Sequence, residues 1–391
     1  MPPLAIYPDR ALTPLEEIRD ALILVEGHTI VEVGHRDEVK LPGRVEEYDA
    51  RGMTVVPGFV DVHIHGASGR EVMEGNAEAL ESVAITVVRY GTTSLLATTL
   101  TASEERICHS LKAVAQQIRR QETANPQNRP IAEILGIHLE GPFISPARRG
   151  VHPAEWIVPP SVQMLQRLLE AADGCTKILT LAPEVPGALE LTDVAREEGL
   201  VAAIGHTDAT YAEARAAIDH GARHAVHVFN AMRPFFHRET GVLGAVLTAP
   251  EVTAELIADG IHVDSPAIRL LLAAKGIERV LLVSDGTAAT GMPDGKYRLG
   301  TVDVTVTGGV CRDAEGHLAG STLTLDRALR NVVALGVPLR DAVRMLTLNP
   351  ARLLGLEQKK GVLAPGADAD LVLLDGNLHV ARVMTRGVGL S

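Results

Sequence analysis

Eight short apolar segments recur through the middle of the chain, and helical stretches fall between most of them. The segments are 55–63, 93–99, 134–140, 177–182, 200–206, 224–229, 253–258 and 279–285. The helical stretches include 76–90, 104–120, 160–172 and 211–220. Apolar strands that alternate with helices pack as a parallel sheet with helices on the outside, and eight of them predict an α/β fold, a closed (β/α)8 TIM barrel. A chain of 391 residues suits one such barrel with a small appendage. The two ends supply the appendage. Residues 21–34 read ALILVEGHTIVEVG, a hairpin pattern around Glu26, Gly27 and His28, and 370–376 reads as a further strand and turn. Both ends are therefore assigned to one small β-sandwich domain, 1–52 plus 355–391, flanking a catalytic barrel at 53–354. A Gly- and Val-rich pattern predicts a β insertion near 295–317. After it, Leu325, Leu329, Val332 and Val333 have the spacing of a buried helical stripe.

Charge narrows the partners. The net charge is -12, so neither nucleic acid nor an anionic membrane surface is expected as a partner. An anionic ligand has to be held by a local cluster of Arg and His. Aromatic residues make up only 3%, which argues against stacking platforms. Cys108, Cys175 and Cys311 are odd in number and far apart, as expected of free thiols in a reducing compartment. No basic segment followed by an apolar one opens the sequence, and no apolar run is long enough for a bilayer, so the expected location is the cytoplasm.

In a barrel of this kind chemistry gathers at the C-terminal ends of the strands. Strand one reads FVDVHIHG, where period-two alternation puts Asp61, His63 and His65 on one face and Val60, Val62 and Ile64 on the other. Strand three ends on His138 and Glu140, strand five on His206, strand six carries His227, and strand eight ends on Asp285. Any one of these histidines reads most simply as a hydrogen-bonded structural residue. The set reads differently. Burying so many ionisable groups at one rim is costly unless a cation neutralises them. Imidazole and carboxylate suit zinc, and also iron or manganese. Asp208, before the helical stretch 211–220, reads as a helix N-cap.

The blocks PGFVDVHIHG, HLEGPFISPARRGVHP, GHTDATYAEARAAIDHG, HVFNAM, ADGIHVD, LVSDGTAATG and LAGSTLTLD resemble the N-acetylglucosamine-6-phosphate deacetylases of the amidohydrolase superfamily. KKGVLAPGADADLVLLDG near the end fits the same pattern. The resemblance implies a hydrolase that converts N-acetyl-D-glucosamine 6-phosphate into D-glucosamine 6-phosphate and acetate. It implies Glu140, His206 and His227 as ligands of the primary metal, with His63 and His65 available to a second ion. One or two divalent ions per subunit, Zn2+, Fe2+ or Mn2+, are both open. No carboxylated lysine is expected, because Glu140 takes its place. Water activated at the metal would attack the amide carbonyl, with Asp285 as general base and then general acid. His152 would lie beside the reacting carbonyl. Val151, Asn230, Ala231, Arg238 and His262 would contact substrate, and Leu318, Ala319 and Gly320 would close the pocket.

The phosphate calls for cations. Arg238 and His262 are the candidates by resemblance, with Arg148, Arg149 and Arg233 close in sequence; Arg148 and Arg149 also read as a solvated loop pair. Relatives of this pattern form homodimers in which a neighbour completes the phosphate pocket, so a homodimer is expected. An N-acetylgalactosamine-6-phosphate deacetylase, or another metal amidohydrolase, is the alternative reading. A non-catalytic barrel is disfavoured, since such a chain loses ligands or the strand-eight Asp, and this one keeps them.

Overall fold

The protein is described from a computed structural model, which covers residues 2–123 and 129–390. Residues 1 and 391, at the outer limits of the expected small domain, lie outside the described residues, as do 124–128.

All eight expected barrel strands form, in one parallel sheet ordered as they occur in sequence: Phe59–Ile64, Thr92–Thr98, Glu133–Glu140, Thr176–Leu181, Val201–Ile204, His224–Ala225, Thr253–Leu256 and Val280–Leu282. The ends close where Ile64 meets Gly286 in a parallel bridge, with Asp285 N donating to His63 O at 2.9 Å and His65 N to Gly286 O at 2.8 Å. Strands five, six and eight stop short of the expected ends at 206, 229 and 285. The cause is local. His206, His227 and Asp285 take φ values of 45°, 27° and 48°, in the left-handed region that no β ladder accommodates. The chain leaves the ladder there and turns each side chain over the barrel mouth.

Helices α1 (Ala77–Val88), α2 (Glu104–Thr123), α3 (Val162–Ala172) and α4 (Tyr211–His220) occupy the expected stretches. Each buries one stripe: Ile107, Leu111 and Val114 in α2, and Leu165, Leu168 and Ala172 in α3. Asn76 and Ser161 cap α1 and α3 by accepting from Ala79 N and Met164 N. The cap of α4 is Thr210, paired with Glu213 in a capping box, not Asp208. After the last barrel strand comes the β insertion, an antiparallel sheet of Gly295–Leu299, Val302–Thr307 and Val310–Asp313. The helix Leu325–Ala334 follows, with Leu325, Leu329 and Val332 buried.

The two chain ends meet in a seven-stranded sheet whose main path runs Val380–Met384, Leu371–Leu374, Glu46–Pro57, Leu4–Leu12, Ala21–Glu26 and Thr29–His35. Backbone bonds from Ile30 N to Ala367 O and from Ala369 N to His28 O tie the hairpin back to the C-terminal segment. The expected limit at residue 52 falls inside the strand Glu46–Pro57, which runs unbroken from this sheet to the start of the barrel. Alternation explains why. Val55, Leu371 and Leu373 point into the small domain's own apolar cluster, while Val56, Val372 and Leu374 pack into the barrel's cluster. One pair of strands thus serves two cores.

Candidate active site

Strand one places His63 and His65 as the alternation predicts, and strand three brings Glu140 beneath the mouth. His206 and His227 turn in from strands five and six. Glu140 Oε1 lies 3.2 Å from His206 Nε2 and 3.1 Å from His227 Nε2, and those two nitrogens are 3.1 Å apart. Three ligand atoms around zinc, at about 2.0–2.1 Å each in a tetrahedron, are separated from one another by about 3.3 Å. The residues present therefore fit a divalent cation. His65 Nε2 lies 3.2 Å from Glu140 Oε2 and 3.4 Å from Asp285 Oδ1, and His63 Nε2 lies 3.4 and 3.7 Å from the same two carboxylates. All five metal-ligand candidates and Asp285 thus share one buried centre.

Its electrostatics ask for positive charge. Burial alone would depress His63 and His65, but the surrounding carboxylates outweigh it: Glu255 and Glu140 hold His63 well above the usual imidazole range, and Asp285 and Glu140 hold His65 at about 9. Burial raises Glu140 and Asp285, yet the histidines around each win and hold both below the usual carboxylate range. A cation takes the place of the protons such a cluster otherwise retains. Among the described residues, the buried His63 Nε2, His65 Nδ1 and His227 Nδ1 find no hydrogen-bond partner.

Strain gathers at the same place. Besides His206, His227 and Asp285, Phe229 and Ala231 have φ of 81° and 50°. Non-glycine residues in this region are held there by their surroundings, at a cost of about 1–3 kcal/mol each. The holding bonds are visible: Ser321 N donates to Asp285 O at 2.7 Å, and Thr207 N to Ala231 O at 3.0 Å.

The pocket above the centre is lined by His65, Glu140, Val151, His152, His206, His227, Asn230, Ala231, His262, Asp285, Leu318 and Gly320, all candidates from sequence. His152 is oriented from below, with Thr101 N donating to its Nδ1 at 3.3 Å and Thr101 Oγ1 at 2.7 Å. A ring that accepts at Nδ1 carries its proton on Nε2, which faces Glu140 Oε2 at 3.6 Å. Burial, with His206 adding, pulls His152 down to about 4, so the ring is neutral and donates into the pocket. His262 is fixed by Asp259 Oδ2 at 2.7 Å from its Nδ1.

Three candidates do not line the pocket. His63 lies behind the lining, fully buried, and Ala319 is buried behind Leu318 and Gly320, with its N donating to Cys311 O. Arg238 is exposed and does not line the cavity; it sits in a hairpin closed by Phe236 and Glu239, next to the exposed Phe235 and Phe236. Arg148 and Arg233 are both tied to Asp208, at 2.7 and 3.1 Å, which explains Asp208 better than helix capping does. Sequence reasoning missed Leu100, Gly150 and Leu299 in the lining, and the buried Glu255 and His224 below it. Glu255 and His224 had a signal, since both occupy inward positions of strands by the same alternation that located His63. His138 was noticed but belongs to a lower layer, bonded to Val62 O and Thr180 Oγ1.

Comparison with known proteins agrees with this geometry. A model of the amidohydrolase family matches residues 54–389. An N-acetylgalactosamine-6-phosphate deacetylase of Escherichia coli O157:H7 is 39% identical over 89% of this chain and 90% of its own length. An N-acetylglucosamine-6-phosphate deacetylase of Bacillus subtilis is 38% identical over 85% of this chain and 83% of its own. Among solved structures, a point mutant of the Mycobacterium smegmatis N-acetyl-D-glucosamine-6-phosphate deacetylase, in complex with N-acetyl-D-glucosamine-6-phosphate, superposes with a TM-score of 0.92 at 38% identity and covers both chains fully. The chain belongs to the amidohydrolase family, in its N-acetylglucosamine-6-phosphate deacetylase branch.

Proposed function

We propose that this chain hydrolyses the acetamide of N-acetyl-D-glucosamine 6-phosphate to acetate and D-glucosamine 6-phosphate. The observation that carries the reading is the meeting of Glu140, His206 and His227 within 3.2 Å of one another, with Asp285 beside them, in one pocket. A divalent ion held by these three, with His63 and His65 able to hold a second, supplies Lewis acidity that polarises a carbonyl and makes water more acidic. Zinc, iron and manganese all suit the donor set.

The chain's own groups do the rest. Asp285, ionised and beside the ligands, accepts a proton from the attacking water as the new C–O bond forms. It returns that proton to the nitrogen as the C–N bond breaks, so one carboxylate serves both steps. His152, neutral with its proton on Nε2, donates to the oxygen on which charge develops. Val151, Leu318 and Gly320 enclose the sugar, and Asn230, Ala231 and His262 contact its polar groups. Arg238 does not line its own pocket, so its phosphate role belongs to a homodimer in which a neighbour's hairpin reaches over. The exposed Phe235 and Phe236 on that hairpin support such a contact. Among the described residues no helix is long and apolar enough to cross a membrane. We assign the enzyme to the cytoplasm on its free thiols, Cys108, Cys175 and Cys311.

A galacto-configured substrate is the second reading, favoured by the Escherichia coli relative. Acetate release from both N-acetylhexosamine 6-phosphates and from unphosphorylated N-acetylglucosamine, beside metal analysis of the purified protein, tests the proposal. Preference for the gluco phosphate is expected. Release from none of the phosphates rejects a deacetylase, and preference for the galacto epimer selects the second reading. Arg238→Ala should raise KM for the phosphorylated sugar alone, and light scattering should give twice the chain mass.

A further inference from the structure

Below the metal-ligand candidates lies a carboxylate that the chemistry above does not use. Glu255 stands in the seventh barrel strand, Thr253–Leu256, where alternation turns Thr253 and Glu255 inward and Ala254 and Leu256 toward the helices. Its side chain is 0% exposed, so an ionised carboxylate there is tolerable only with strong donors. It has three. His63 Nδ1 donates to Oε2 at 2.8 Å, His227 N donates to the same oxygen at 3.0 Å, and His224 Nε2 donates to Oε1 at 2.9 Å.

Two of these bonds act on the centre. A neutral His63 ring that donates from Nδ1, the form that can ligate a metal, presents the Nε2 lone pair at the other end. That Nε2 faces Glu140 Oε1 at 3.4 Å and Asp285 Oδ1 at 3.7 Å. A lone pair aimed at two carboxylate oxygens is repulsive unless a cation, whether a proton or a metal ion, lies between them. The bond to His227 N meanwhile anchors a residue whose φ of 27° no strand ladder supports. One carboxylate therefore sets the tautomer of one candidate ligand and the backbone of another.

We propose that Glu255 is a positioning residue: it fixes His63 as an Nε2 ligand of a divalent cation and holds His227 in its turn. The inference rests on the reading of the centre as a metal site. A carboxylate that orients a ligating imidazole is worth roughly 10- to 100-fold in metal affinity. Glu255→Gln keeps the shape and removes the charge. The test is competition for Zn2+ between a chromophoric chelator and the metal-depleted full-length protein, comparing wild type, Glu255→Gln, His63→Asn and His206→Asn. Weaker zinc binding, by roughly 10-fold or more, is expected in Glu255→Gln and His63→Asn. Wild-type affinity in Glu255→Gln, with zinc binding lost in His206→Asn, overturns the positioning role alone. Wild-type affinity in His206→Asn overturns the metal-site reading itself. Nitrogen-15 spectra of the zinc-loaded wild type give a second readout that needs no variant: a proton on His63 Nδ1 supports the proposal, and one on Nε2 overturns it.

Discussion

The barrel interior and the terminal sheet are built on the same two-residue period and bury opposite chemistry. Inward positions of the barrel strands carry Asp61, His63, His138, Glu140, Thr180, His224 and Glu255, all essentially inaccessible. Inward positions of the terminal sheet carry Ile6, Ile23, Val25, Val55, Leu371, Leu373 and Met384. The first set costs desolvation free energy and returns it only through mutual hydrogen bonds and a cation. The second returns about 25 cal/mol for each Å2 of apolar surface removed from water. The barrel can carry its polar interior because its stability comes from outside the strands, where Val60, Val62, Ile64 and Leu139 meet the helices. Period locates a face, and residue type decides whether that face stabilises or reacts.

That division predicts mutations that separate activity from stability. The largest expected effect is at the rim. Asp285→Asn should leave the chain folded and metal-loaded and lower kcat by about 10^3-fold, within the range typical of a lost general acid–base group. Calorimetry beside single-turnover acetate release reads both quantities. Near-normal kcat would remove Asp285 from the reaction. The counterpart in the terminal sheet is Leu373→Ala. Leu373 is fully buried in the small domain's cluster, so truncation should cost about 2–5 kcal/mol of unfolding free energy. The kcat of the folded protein should not change, because nothing in that cluster touches the pocket. A fall in kcat that parallels the loss of stability would show that the two regions are coupled.

How far the sequence discloses the structure follows the same line. The eight strands, the helices between them, the insertion and the rim residues were legible, since apolar periodicity and ionisable strand ends are local signals. The strand ends were not, because the left-handed turns at His206, His227 and Asp285 are imposed by partners distant in sequence, such as His63 O for Asp285 N. Asp208 was misread for a related reason: its partners Arg148 and Arg233 arrive from two other loops. Glu255 escaped notice because strand seven holds it mid-strand rather than at the rim, and a single carboxylate in TAEL carries no motif. Arg238 shows the limit of matching by block, as the pattern named the residue and the structure leaves it exposed, outside the pocket lining.

Lys275 gives the smallest effect and sharpens the comparison, because it is buried polarity with neither catalysis nor a countercharge in hydrogen-bond contact. It lies in the helix Ser265–Lys275, 8% exposed, and donates from Nζ to Val246 O at 2.9 Å and Ala249 O at 2.6 Å. Burial, with Arg279 adding, pulls its pKa down to about 8. The unfolded chain holds that proton up to about 10.4. Between these values the unfolded state binds more protons than the folded one, so stability attributable to this group rises as pH goes from 8 to 10. Below pH 8 both states are protonated and the folded chain carries the full desolvation cost. Lys275→Met abolishes the rise, and the difference in Tm between wild type and variant should shift by on the order of 2 °C across that window. An identical pH dependence in the two proteins would mean that the carbonyls of the helix Gly241–Thr248 and of Ala249 already solvate the ammonium as well as water does. The barrel's polar interior would then need less compensation from a cation than its burial implies.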